Sequence, residues 1–203
     1  FSYDRVLIWP RPLQQPHPPI VFPADSDDGL AIAVRRRVPT GTAYRSLKRS
    51  KALADRFRTL AAAQGWTPTP DDCLFVRHVY VGESNERARR EAEPHLDYFW
   101  QKLLSYHKGS MKLMGQSPPP RPAVVQSAED IPFYEFDFDL CQKEGITIVG
   151  DPDYVTREIQ AQARELGAGV FIGLFHFGSM PHDLACNNIR RFAEKVLPEL
   201  RHA

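Results

Sequence analysis

A chain of 203 residues, 42% hydrophobic and 25% charged, holds enough apolar material for one globular core, and its formal net charge of +1 gives no reason to expect nucleic acid as a partner. No apolar run approaches the roughly 18 residues that a membrane span needs, which excludes a bilayer reading. Three cysteines (Cys73, Cys141 and Cys186) lie far apart and suit neither a disulfide framework nor a zinc site, so a reducing cytoplasm is the expected compartment.

The chain opens on Phe1 without a signal-peptide pattern, so a further upstream portion is expected. Residues 9–19 are proline-dense and predict extended backbone, because proline fixes its own φ and restricts the residue before it. Such a segment can serve as a ligand for a proline-reading domain. Its direct run into Ile20, Val21 and Phe22, a short strand candidate, favours a rigid surface connection. Next, Ser26 is a good N-cap, with Asp25, Asp27 and Asp28 at the start of a short helix that ends in Arg35, Arg36 and Arg37. Residues 38–44 form a second strand candidate.

From residue 46 to 64, Leu53, Phe57, Leu60 and Ala61 fall on one helical face, and Gly65 marks the stop. Residues 73–81 read as a largely buried strand. Ser84 or Asn85 caps the following helix, whose stripe is Ala88, Ala92, Leu96, Phe99 and Leu103, with a kink expected at Pro94. Composition then shifts to glycine, proline and serine, predicting an irregular excursion at about residues 109–130. A strand at 145–149 leads to Asp151 as N-cap and Pro152 at the first helical position. That helix shows Val155, Ile159, Ala163 and Leu166 inward and ends at Gly167. Residues 169–177 read as a strand too apolar to face water. The last helix follows Ser179 and Pro181, with Ala185, Ile189, Phe192, Val196 and Leu200 on its inner face.

Strands alternating with helices imply parallel β/α units in a single α/β domain spanning residues 1–203. An eight-stranded (β/α)₈ barrel needs roughly 250 residues, so the inventory amounts to half a TIM barrel. The strand C-terminal ends are then the place to look for a site. No metal-ligand spacing, phosphate-binding glycine loop or nucleophile–base pair is present, and no catalytic residue can be named.

Several stretches, in order, resemble the bacterial luciferase-like, flavin-dependent monooxygenase family. Trp9-Pro10-Arg11-Pro12-Leu13-Gln14-Gln15-Pro16-His17-Pro18-Pro19-Ile20 is similar to its proline-rich approach to a mid-barrel strand. Val79-Tyr80-Val81-Gly82-Glu83-Ser84, with Arg87, Ala88, Arg89 and Glu91, resembles its following strand and helix. Ile148-Val149-Gly150-Asp151-Pro152-Asp153-Tyr154-Val155 resembles its "v-G-x-P-e-x-V" turn. Phe175-His176-Phe177-Gly178-Ser179-Met180-Pro181-His182, with residues 192–198, resembles its closing signature.

The resemblance implies the C-terminal half of a barrel that uses reduced FMN and oxygen on a small organic substrate. A reductase would supply the flavin. It leaves open a deazaflavin-dependent oxidoreductase, and a shortened non-catalytic relative that folds as a homodimer. On it, Asp25, Ser26, Asp27 and Asp28 are the candidate cofactor-binding loop, where helix-start amides can hold a phosphate. An ordinary capped surface helix is the competing reading, because three carboxylates oppose a dianion. Thr40, Phe175, His176 and Phe177 are the candidate substrate-side residues, with a plain turn and a structural histidine as the alternatives.

Overall fold

The strand expected at residues 73–81 becomes the centre of the sheet. The computed structural model describes residues 4–7, 9–115, 122 and 124–200. In chain order these form α1 (Asp27–Arg36), β1 (Thr40–Thr42), α2 (Leu47–Ala63), β2 (Cys73–Val81), α3 (Asn85–Gln101), α4 (Tyr106–Leu113) and α5 (Phe138–Lys143). There follow β3 (Thr147–Gly150), α6 (Pro152–Leu166), β4 (Val170–Leu174), α7 (His182–Arg191), a π-helical stretch Phe192–Val196, and α8 (Leu197–Leu200). The irregular excursion expected at about residues 109–130 is helical at its start, where α4 runs to Leu113, and its residues 116–121 and 123 lie outside the described residues.

All strand pairs are parallel. β1 and β4 both pair with Leu74 and Phe75, so they occupy opposite edges of β2, and β3 pairs with His78 to Val81. The short strand expected at Ile20, Val21 and Phe22 is only partly realised: the Phe22 and Ala24 amides donate to the Pro39 and Gly41 carbonyls at 2.9 and 3.3 Å. The intervening Pro23 has no N–H, and it is the Thr40 hydroxyl that donates to the Phe22 carbonyl at 2.8 Å. The stretch is therefore extended backbone beside β1 and not a full strand. Gly41 is required where β1 meets β2, since a Cβ there would stand 2.1 Å from the Leu74 carbonyl oxygen.

Because β2 alternates faces, its residues feed two cores. Phe75, Val79 and Val81 pack with Val155, Ile159 and Leu166 of α6 and with Val196. Arg77 shares that face and is only 1% exposed, with Nε donating to Gln162 Oε1 at 2.8 Å; burial pushes its pKa down to about 10. On the other face Tyr80 packs with Ala88, Ala92, Leu96 and Trp100 of α3 and with Phe136 and Phe138. A third cluster joins α1 to α2 through Leu30, Val34, Leu53, Phe57 and Ala61.

Helix ends follow the local chemistry of the sequence. Ser26, Ser46, Ser84 and Asp151 each accept a backbone N–H three residues on, and Gly167 closes α6 in the left-handed region at φ 58. α3 continues through Pro94 to Gln101. Three packing expectations need correction. Trp100, not Leu103, completes the buried stripe of α3. On α7, Ile189 is 49% exposed and the amide of Asn188 is buried instead, because that amide satisfies backbone groups of β2. No residue of β4 is buried and Ile172 is 41% exposed, since among the described residues no strand pairs its outer edge.

Candidate functional site

A cleft of about 420 Å³ opens where the chain leaves β1 and enters α2. Tyr44, Arg45, Ser46 and Arg49 form one side, and Ile131, Phe133, Tyr134 and Phe136 form the other. Tyr44 holds an unusual backbone, φ 59 for a non-glycine residue, which costs about 1 kcal/mol or more and is tolerated where surrounding contacts impose it. Its ring is fixed by stacking on His78 at 5.5 Å with an interplanar angle of 19°. Burial raises the Tyr44 pKa, assisted by Tyr106, so its hydroxyl keeps its proton through the neutral range.

His78 sits beneath, 1% exposed, inside an aromatic cage. Phe99, Trp100 and Phe177 meet its ring edge-on at 4.7, 5.5 and 5.2 Å. Its Nδ1 and the Trp100 Nε1 find no hydrogen-bond partner among the described residues, an arrangement that costs about 1–3 kcal/mol for each orphaned group. Desolvation pushes the His78 pKa down to about 3, so the imidazole is neutral at physiological pH.

The acidic start of α1 reaches this region through arginines. Arg45 Nη2 donates to Asp25 Oδ2 at 2.5 Å, and Arg49 Nη2 donates to the Asp25 carbonyl at 3.3 Å. Asp27 is bound by Arg56 at 2.9 Å, which holds its carboxyl below the usual range. Ser26 Oγ accepts the Gly29 N–H at 3.3 Å and so acts as the helix cap. Asp25 and Asp27 are thus set against arginines from α2 and the turn before it. Opposite them, Ser46 Oγ donates to Glu129 Oε1 at 2.5 Å while accepting the Arg49 N–H at 3.0 Å.

The candidate substrate-side residues are dispersed. Thr40 is buried between sheet and helices with its hydroxyl engaged by Phe22. Phe175 turns to the outer helical layer and packs on Phe192 at 4.6 Å. His176 Nε2 lies 3.1 Å from the Met180 carbonyl, and Phe177 alone joins the cage around His78. Sequence reading missed Tyr44, Arg45, Arg49, His78 and Trp100. One signal was present for the arginines: the first turn of α2 holds no acid, although a helix start favours negative charge.

A larger cavity of about 680 Å³ lies beside β4, between α6 and α8, with walls of Phe75, Ile159, Phe171, Phe175, Phe192 and Leu200. It is apolar and belongs to the outer helical layer, not to the C-terminal ends of the strands where convergent polar groups occur, so the smaller cleft is the candidate site despite its size. Cys73, Cys141 and Cys186 are all free thiols. No described helix is long and apolar enough to cross a membrane.

The profile of the luciferase-like monooxygenase family matches residues 1–169. Among solved structures, the chain is similar to monooxygenase RslO1 from Streptomyces bottropensis, with a TM-score of 0.63 and 22% identity over 96% of this chain and 51% of that one. It is also similar to the oxygenating constituent of 3,6-diketocamphane monooxygenase from Pseudomonas putida, in complex with FMN, at TM-score 0.62 and 16% identity over 88% and 47% of the two chains. A third is the coenzyme F420-dependent tetrahydromethanopterin reductase from Methanopyrus kandleri, at 0.57 and 15% over 90% and 51%. At these identities the likeness is one of fold, and the chain spans about half the length of the structures it matches. No curated protein sequence matches it.

Proposed function

Because the chain belongs to the luciferase-like monooxygenase family, we propose that it forms the C-terminal half of a flavin-dependent monooxygenase or related oxidoreductase acting on a small organic substrate with reduced flavin and oxygen. The observation that carries this reading is the make-up of the cleft at the end of β1. It joins the aromatic side chains of Tyr44, Phe133, Tyr134 and Phe136, suited to contact with a flavin ring, to a pair of arginines suited to the flavin phosphate. The donor set therefore fits FMN.

Tyr44, Tyr134 and Phe136 would flank the ring and Arg45 and Arg49 would take the phosphate, whereas the helix start at Asp25, Ser26, Asp27 and Asp28 lies outside the cleft lining and would act through the contacts of Asp25 with those arginines. The flavin supplies the electron chemistry when bound; the chain supplies position and a dry wall. The protonated Tyr44 hydroxyl can donate a hydrogen bond into the cleft, and the neutral His78 supports its ring from below. Phe177 contributes to that floor, whereas Thr40, Phe175 and His176 lie outside the cleft lining and brace the sheet ends. A deazaflavin suits the same wall and is the alternative cofactor; the Methanopyrus reductase that shares the fold is named for F420. A separate reductase would provide the reduced flavin.

The open edge of β4 favours a second reading, in which a shortened relative folds by pairing with another copy of itself. The test of the main reading is a titration of the purified chain with FMN, followed by flavin fluorescence. Saturable quenching at about micromolar concentration supports it, and a folded chain that leaves the fluorescence unchanged overturns it.

A further inference from the structure

The start of α2 carries positive charge where a helix disfavours it. Arg45 precedes the Ser46 cap and Lys48 and Arg49 fill the first turn, without an acid among them. The dipole makes this unfavourable unless an anion stands nearby. In this structure the anion is Asp25, which holds Arg45 through its carboxylate at 2.5 Å and Arg49 through its carbonyl at 3.3 Å. The Arg45 and Asp25 side chains are 40% and 54% exposed, and pairs in such surroundings contribute about 0–1 kcal/mol. So weak a pair yields readily to a stronger anion. Both arginines line the cleft, and the carboxylate that lines it with them, Glu129, is committed to the Ser46 hydroxyl beside the arginines.

We propose that Arg45 and Arg49 recognise the phosphate monoester end of the ligand in this cleft, and that Asp25 is the internal anion this phosphate displaces. The proposal rests on the flavin reading for the identity of the ring, while the exchange of one anion for another rests on the arginines alone. It also gives Asp25 a different role from Asp27. Asp27 is tied to Arg56, which does not line the cleft, so that pair serves as an internal control.

The experiment titrates the full chain with FMN and with riboflavin by fluorescence quenching, and with inorganic phosphate by thermal shift. FMN should bind about tenfold more tightly than riboflavin, the difference of one charge-assisted contact. Arg45→Gln and Arg49→Gln should each shrink that ratio, and Arg56→Gln should leave it unchanged. Asp25→Asn should raise FMN affinity about threefold or more, and the phosphate-induced shift with it, without altering riboflavin binding. Equal binding of the two flavins, or an Asp25→Asn variant with unchanged FMN affinity, sinks the proposal while sparing the flavin reading. Absence of flavin binding with an Arg45-dependent phosphate shift does the reverse. A folded chain indifferent to all three overturns both.

Discussion

β2 and β4 are both apolar strands paired side by side, yet they end in opposite environments. Every residue of β2 except Val76 is buried, including Arg77 and His78, whereas β4, written Val-Phe-Ile-Gly-Leu, has none buried and leaves Ile172 exposed. β2 has strands on both edges and cores on both faces; β4 has β2 on one side and no described strand on the other. Apolar composition sets what a strand gains by burial, and its neighbours decide whether it is buried at all. A central strand can even enclose a guanidinium, provided a buried amide such as Gln162 receives it.

The comparison is broken most severely at the clamp that joins the two strands. Asn188 accepts the Val81 N–H at 2.8 Å and donates to the Val79 and Phe175 carbonyls at 2.7 and 2.9 Å. Asn188→Ala removes the side-chain partner of two buried backbone groups and one part-buried one, and is expected to cost about 3 kcal/mol, read as a lower denaturation midpoint. A loss under about 1 kcal/mol would mean that the sheet centre is not held this way.

His78 sharpens the contrast through pH. Its folded pKa of about 3 lies below the unfolded value near 6.5, so the unfolded chain binds the extra proton between those limits. Stability is therefore fully present above about pH 6.5 and falls as pH drops toward 3. At pH 5 the residue should cost about 2 kcal/mol relative to pH 7. His78→Phe should remove that part of the acid sensitivity, measured as denaturation curves at both pH values, with little loss at pH 7.

The smallest effect on stability belongs to β4. Ile172→Lys should change the stability of the isolated chain by no more than about 0.5 kcal/mol, because the side chain is already at the surface. If a second copy covers this edge, light scattering will register a dimer for the parent chain and a monomer for the variant. A parent chain that is monomeric at all concentrations removes the dimer reading.

Much of the element inventory was legible because it depends on neighbours in sequence. β2 occupies the expected residues 73–81, and Ser26, Ser84, Asp151 and Gly167 mark helix ends as their local chemistry requires. The candidate site was only half legible. The loop from Asp25 to Asp28 was marked by its cap and charges, but the arginines that meet it come from about 20 or more residues away, beyond any periodic pattern. Phe175, His176 and Phe177 looked like one group along the chain, and strand alternation with the turn after β4 sent them to three different surroundings.

What the sequence determined by itself was the order of parallel β/α units, the helix ends, and a resemblance that the family match now supports. These rest on spacing, capping and turn chemistry, all short-range. Tertiary structure alone decided that Tyr44 would stack on His78, that Asp25 would occupy Arg45 and Arg49, and that no described strand would pair the outer edge of β4. Each of these depends on which distant element arrives as a neighbour, and side-chain burial, charge pairing and strand edges are properties of neighbours in space.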